Sequence, residues 1–237
     1  TFGILGIVGI LVFIWVHHRL PETLENSTKG SIGFRHSTNV FFKVLQDPIT
    51  TGYMISSGFI YAALFAFIAS AEQIFNDVFD SGSLFSLWFA IIAGTLALAN
   101  FINFRIVDKI GMRRISHVAL ILLVFLSFVN LLICCFIGEQ LFIFLPLFAL
   151  TFGCFGMLGA NFSAIAMETQ GDRAGTASAL YGFFTTAVSS VFGYFVSSQF
   201  NGSVIPILIG FIFLGSFSLI TVIITENGVL FRATITK

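Results

Sequence analysis

Long stretches of this chain carry no charge, and that absence decides what it can fold into. No Asp, Glu, Lys or Arg occurs between Asp47 and Glu72, between Asp80 and Arg105, between Arg114 and Glu139, or between Glu139 and Glu168. Each gap is long enough for one helix across roughly 30 Å of hydrocarbon. The last gap, Arg173 to Glu226, is about twice as long, and Asn201-Gly202-Ser203 breaks it with a turn signal. The count is six full spans. Runs of this length are too long for barrel strands and do not alternate, so they are helices. The expected fold class is all-α, a polytopic transmembrane helix bundle.

Composition agrees. Only 9% of residues are charged and 57% are hydrophobic, against about 25% charged in a soluble domain. The solvent of such a chain is the lipid bilayer. Its formal net charge is zero, so no strongly basic face is available and nucleic acid is excluded as a partner. Cys134, Cys135 and Cys154 lie in apolar runs with no CxxC and no nearby His. They read as small buried side chains. The first apolar run, Phe2 to Val16, is shorter than the roughly 20 residues of a full span. It reads as a truncated helix, and the chain as a fragment of a larger bundle.

The basic residues orient the spans. Arg19, Lys29, Arg35 and Lys43 follow the first run; Arg105, Lys109, Arg113 and Arg114 share one connection; Arg173 lies in another; Arg232 and Lys237 end the chain. The intervening connections hold none. All 11 Lys and Arg thus fall on alternate connections, which face the cytoplasm by the positive-inside rule, with a cytoplasmic C-terminus. The expected layout is a truncated helix over 1–16, a cytoplasmic linker over 17–47, six helices over 48–225 and a cytoplasmic tail over 226–237. Asn39 to Leu45 within the linker reads either as a short amphipathic helix or as disordered chain.

Local punctuation supports these boundaries. Asp47-Pro48 supplies a cap and an N1 proline. Pro146 should kink its helix unless it lies in the first turn. Gly156 with Ala160, Ser178 with Gly182, and Ser189 with Gly193 are small pairs at the spacing that lets helix backbones approach in lipid.

Nothing resembles a catalytic centre. There is no paired carboxylate, no nucleophile beside a base and no set of metal ligands at helical spacing, so neither enzyme activity, metal nor cofactor is expected. His17, His18, His36 and His117 fall at or near cytoplasmic ends and read as interfacial. Asn201-Gly202-Ser203 and Asn26-Ser27-Thr28 match the glycosylation sequon, a frequent chance match.

One connection is more specific. In Asn103 to Arg114, Gly111 allows a tight reversal between helices. Asp108 stands beside Lys109, Arg113 and Arg114, where it can pair locally or face a helix N-terminus. Asp, a basic residue, Gly and a basic pair at these spacings resemble the loop signature of major facilitator transporters. Leu20-Pro21-Glu22-Thr23-Leu24 looks like the end of that family's first half. Gly159 to Glu168, followed by Ala174 to Gly182 with Gly175, Ser178 and Gly182 as its packing residues, resembles the bicyclomycin and chloramphenicol resistance branch of drug:proton antiporters. The pattern departs at Ala160 and Thr169, where that branch often has Pro.

The resemblance implies the C-terminal half of a twelve-helix transporter, helices seven to twelve preceded by part of the sixth. It implies export of small amphipathic molecules against inward proton flow across a bacterial inner membrane. The partner would be an N-terminal half, which would carry the proton-coupling carboxylate. Asp108, Lys109, Gly111, Arg113 and Arg114 would form the cytoplasmic gate. Tyr61, Phe65, Cys154, Phe155, Asn161, Thr185, Thr186 and Ser189 lie near mid-span, where transporters bind substrate. Glu72 and Gln73 mark the outer end of their span, as a functional pair or simply as a boundary. Asn100, Asn130 and Asn161 are amides in apolar runs and need interhelical partners.

Overall fold

The computed structural model describes residues 2–19 and 34–231, and the chain divides into two compact units, residues 1–39 and 40–237. In the first, α1 (Phe2–Arg19) is apolar until it ends on His17, His18 and Arg19, donors suited to the carbonyl end of a helix. Residues 20–24, where the first half of the family would end, lie outside the described residues. Helix α2 (Phe34–Leu45) is strongly amphipathic and contains the segment from Asn39 to Leu45, which is therefore helical. Within it Phe42 is exposed and Val44 is buried.

The second unit holds six helices long and apolar enough to cross a membrane. They are α3 (Pro48–Gln73), α4 (Phe85–Ile110), α5 (Met112–Phe136), α6 (Leu141–Met167), α7 (Ala174–Ser197) and α8 (Ile205–Thr225). These are the six spans that the charge gaps define, and the chain is an all-α, multi-pass membrane bundle. Asp47 caps α3 by accepting from the Thr50 amide at 2.9 Å, with Pro48 in the first turn. Helical structure continues past Gln73 through a π-helical turn, Ile74–Val78, so exposed Glu72 stands before the true end of this span. Gly111 joins α4 to α5 at φ +93°, a conformation that a side chain would oppose. Helix α6 runs on through Pro146. Consecutive helices reverse, and the end carrying the Arg105–Arg114 connection is here termed the basic end.

At the opposite end Glu139, between α5 and α6, caps α8. It accepts from the Val204 amide at 3.1 Å and from the Ser203 hydroxyl, whose oxygen in turn accepts from the Ile205 amide at 3.0 Å. One carboxylate thus satisfies the free donors of a helix start two connections away.

Helices α3 and α6 form the buried axis, while α4 and α7 are the least buried. Helix α3 packs on α7, α8 and α6; α6 packs on α5 and α4; α5 packs on α8. In the core, the Phe67 ring lies 4.8 Å from those of both Phe148 and Phe152, and Phe211 stacks beside them. Lipid offers no hydrophobic drive for helix association, so close fit must supply it. A Cβ on Gly156 would stand 2.5 Å from the Leu96 carbonyl oxygen and 3.0 Å from the Asn100 amide nitrogen, both backbone atoms of α4. A Cβ on Gly193 would meet Phe65 and the Ala62 carbonyl oxygen at 2.9 and 3.0 Å. Around Gly175 and Gly182, by contrast, a Cβ would meet no described residue within 4 Å. That stripe of α7 is unfilled among the described residues.

Gly156→Ala should therefore force α4 away from α6 and destabilise the bundle by about 1–3 kcal/mol. Gly182→Ala should leave stability unchanged or slightly raised, since alanine suits a helix interior better than glycine. Unfolding curves in mixed micelles check both, and equal stability of Gly156→Ala and the parent would refute the close approach.

Candidate functional site

All six spanning helices have one end at the basic end, and polar side chains from α3, α5 and the residues just past α6 and α8 point inward there. Gly111 turns the chain so that Arg113 enters the bundle instead of solvent; its side chain is 5% exposed. Its Nη2 lies 2.7 Å from Glu168 Oε2, just past the end of α6. Its Nε donates to Glu226 Oε1, just past the end of α8, at 2.8 Å. The Glu226 side chain is 3% exposed and that of Glu168 25%. Buried charges persist only when paired and hydrogen-bonded, and one guanidinium here serves two carboxylates.

The network extends to α3 and deeper into α5. The Tyr53 hydroxyl donates to the same Glu226 oxygen at 2.8 Å and lies 3.0 Å from His117 Nε2. His117 Nδ1 accepts from the Phe231 amide at 3.0 Å. Tyr53 is held edge-on by Phe162 of α6, ring centroids 5.2 Å apart. One turn before it, Thr50 donates to the Ala166 carbonyl at 2.8 Å and accepts from Gln170 Nε2 at 2.8 Å. Arg113 Nη1 and Gln170 Oε1 are buried without a hydrogen-bond partner among the described residues.

The remaining members of the basic connection are different. Asp108, Lys109 and Arg114 are exposed, and Asp108 makes no ion pair among the described residues. Arg114 donates through Nε to the Phe231 carbonyl at 3.2 Å. Arg105 lies 5.0 Å over the Phe101 ring. His117, expected at an interface, is instead fully buried. The reason is that α5 begins at Met112, so residue 117 lies on the same inward face as Arg113, one turn deeper. His17 and His18 are exposed.

The residues expected near mid-span separate into groups. Tyr61, Phe65, Thr185 and Ser189 lie along the α3–α7 seam. There the Tyr181 hydroxyl donates to Ser57 Oγ at 2.7 Å, and Gly58 lets Val188 approach. Gly159 of α6 leaves room for the Tyr61 hydroxyl, which a Cβ would meet at 2.8 Å. Thr185 and Ser189 are buried and bond carbonyls of their own helix; Thr186 is exposed. Cys154 lines a groove between α4, α5 and α6. Phe155 belongs to the aromatic core, 5.1 Å from Phe152 and 5.8 Å from Phe211.

Two of the three amides found interhelical partners, and Asn100 did not. Asn161 Nδ2 donates to Asn103 Oδ1 at 2.9 Å, and Asn103 Nδ2 returns the bond at 3.3 Å, joining α4 to α6. Asn130 donates to the Phe144 carbonyl at 3.4 Å, while exposed Asn100 bonds within its own helix. Glu72 and Gln73 are exposed at the opposite end.

Residues 1–194 match the Major Facilitator Superfamily. The chain belongs to that family of membrane transporters. It is 29% identical over 193 residues to an uncharacterized MFS-type transporter, YdgK, of Bacillus subtilis, covering 80% of this chain and 47% of that protein. It is 25% identical over 208 residues to a bicyclomycin resistance protein homolog of Haemophilus influenzae, covering 87% and 52% respectively. The chain spans about half the length of these relatives. No solved structure gives a significant match.

Removing Arg113 alone strands Glu226 beside the Tyr53 hydroxyl in a dry site. Arg113→Met should cost about 3–5 kcal/mol, and adding Glu168→Gln with Glu226→Gln should recover much of that loss. Unfolding curves of the single and triple variants decide it, and a harmless single variant would mean that water reaches the network.

Proposed function

We propose that this chain is the C-terminal half of a secondary active transporter. In this reading it exports drugs or other small amphipathic molecules across a bacterial inner membrane in exchange for inward-moving protons. The C-terminus and the basic end face the cytoplasm, as the placement of Lys and Arg favours. Export of this kind is supported by the likeness to a bicyclomycin resistance protein homolog. The observation that carries the gating part of the proposal is Arg113, which ties the signature connection to the ends of α6 and α8.

The roles follow from placement. Arg113, fixed by Gly111, joins α5, α6 and α8 into one body that moves as a unit. Asp108, Lys109 and Arg114 stay exposed and available to a facing half. Substrate would meet the edge of the α3–α7 seam, where half-buried Tyr61 and exposed Phe65 and Thr186 offer aromatic surface and hydroxyls, a mixture suited to apolar molecules with a few polar groups. The proton-coupling carboxylate is assigned to the other half, as the resemblance to drug:proton antiporters implies. A second form of the same reading is that the chain transports nothing alone and acts only when assembled with a separate N-terminal half.

Expression in a drug-sensitive bacterium tests this. With an N-terminal six-helix half supplied, the chain should extrude a lipophilic dye in an uncoupler-sensitive manner, and Arg113→Gln should slow extrusion several-fold. No extrusion over a panel of lipophilic compounds would refute drug export. Extrusion by the chain alone would refute the requirement for a partner half.

A further inference from the structure

Hydrogen-bond directions fix the state of His117. Its Nδ1 accepts from the Phe231 amide at 3.0 Å, so that nitrogen carries no proton. The single proton of a neutral imidazole is then on Nε2, facing the Tyr53 oxygen at 3.0 Å, and the Tyr53 proton is given to Glu226 at 2.8 Å. The relay runs one way, from His117 through Tyr53 to Glu226.

Phe231 is gripped by three contacts, all from a single turn of α5. Its amide donates to His117, its carbonyl accepts from Arg114 Nε at 3.2 Å, and its ring lies edge-on to the imidazole at 5.8 Å. The grip holds a non-glycine residue at φ +64°, a left-handed conformation that L residues with a Cβ resist. Local strain of this kind persists only where its surroundings impose it.

We propose that His117 is a proton-binding site that works as a latch on the chain following α8. In its neutral form it holds Phe231 against α5. A proton from solvent that adds to the Nδ1 lone pair makes this nitrogen a donor. It then faces the Phe231 N–H donor to donor, the hydrogen bond breaks, and the strained segment leaves. No other bond changes. The charged and titratable groups facing the imidazole are Tyr53 from α3, Glu168 past α6, Glu226 past α8, and Arg113 and Arg114 from α5. Of these, Glu226 would stabilise an imidazolium and Arg113 would oppose it, while Glu168 is partly exposed. Arg114 is exposed, where solvent and salt screen its charge.

The latch stands apart from the transport reading because its state is measured directly. Spin labels at Val229→Cys, exposed beyond α8, and Ile137→Cys, exposed at the far end of α5, report the distance between the segment and α5. The native cysteines are replaced and the whole chain is held in nanodiscs. A narrow distance distribution is expected at about pH 8, and a broad, displaced one at about pH 4, below the range over which an unperturbed histidine changes charge. His117→Asn offers an amide oxygen near the place of Nδ1 and does not titrate there, so it should stay narrow at both. An unchanged wild-type distribution, or equal broadening in His117→Asn, overturns the proposal. Arg114→Gln, an exposed change that leaves the core intact, weakens the grip on the Phe231 carbonyl and should move release to higher pH. Release at the wild-type pH would show that Phe231 is not the strap, and would overturn it too.

Discussion

A guanidinium in an apolar bundle must be paired, and Arg113 shows how much structure that single requirement organises. Taking one charge out of water costs several kcal/mol, and the cost is met only by close, well-directed partners. Glu168 and Glu226 come from the ends of two different helices to meet Arg113 at 2.7 and 2.8 Å. Those helices are thereby fixed in depth and rotation relative to α5. Tyr53 adds α3 to the set through the same Glu226 oxygen. Four of the six spanning helices are bound at one end by one cation. Gly111 is the geometric condition for it, because only a reversal at φ +93° lets the residue two places on turn inward.

Away from that end, cohesion has a different origin. Along α4 and α6 it comes from backbone approach at Gly156 and from the reciprocal amide pair Asn103–Asn161. Along α3 and α7 it comes from Gly58 and Gly193 and from one hydroxyl bond, Tyr181 to Ser57. Fit of this sort is short-ranged, whereas the ion-pair network is strong and localised. The six-helix unit is therefore most tightly specified at its basic end, where the polar groups converge.

How far the sequence reveals this depends on whether a feature is local. Spans are set by stretches without charge, and Asp47-Pro48 and Gly111 act within a few residues of themselves, so these are legible directly. Arg113 was visible as part of a signature, but not as the buried member of it, because Lys109, Arg113 and Arg114 look alike on paper. Its partners lie 113 residues away in the case of Glu226, and Glu168 and Glu226 read as ordinary polar residues after an apolar run. His117 reads as interfacial from sequence, whereas its inward direction follows from the start of α5, one turn earlier. A signal did exist: Arg113 and His117 are spaced four apart on a helix whose other face is apolar, and carboxylates follow two other spans on the same side. Phe155 reads only as a mid-span residue in sequence for a related reason. Thirty-two phenylalanines give no sequence cue to which rings pack together, and only the contact with Phe152 and Phe211 places it in the core.

These two kinds of cohesion bear on how a transporter half could move. Alternating access by rocking needs each half to keep its shape while its faces exchange partners. Network bonds at the basic end bind α3, α5, α6 and α8, and Asn103–Asn161 adds α4 through α6. Helix α7 is attached through its seam with α3 alone among the strong contacts, and its Gly175–Gly182 stripe meets no described residue. Helix α4 is likewise the least buried of the six. On the proposed reading, a body buried along α3 and α6 and open along α4 and α7 has its freedom where a second half would dock. Small residues on the α7 stripe would let another backbone come close and slide there without breaking any buried ion pair.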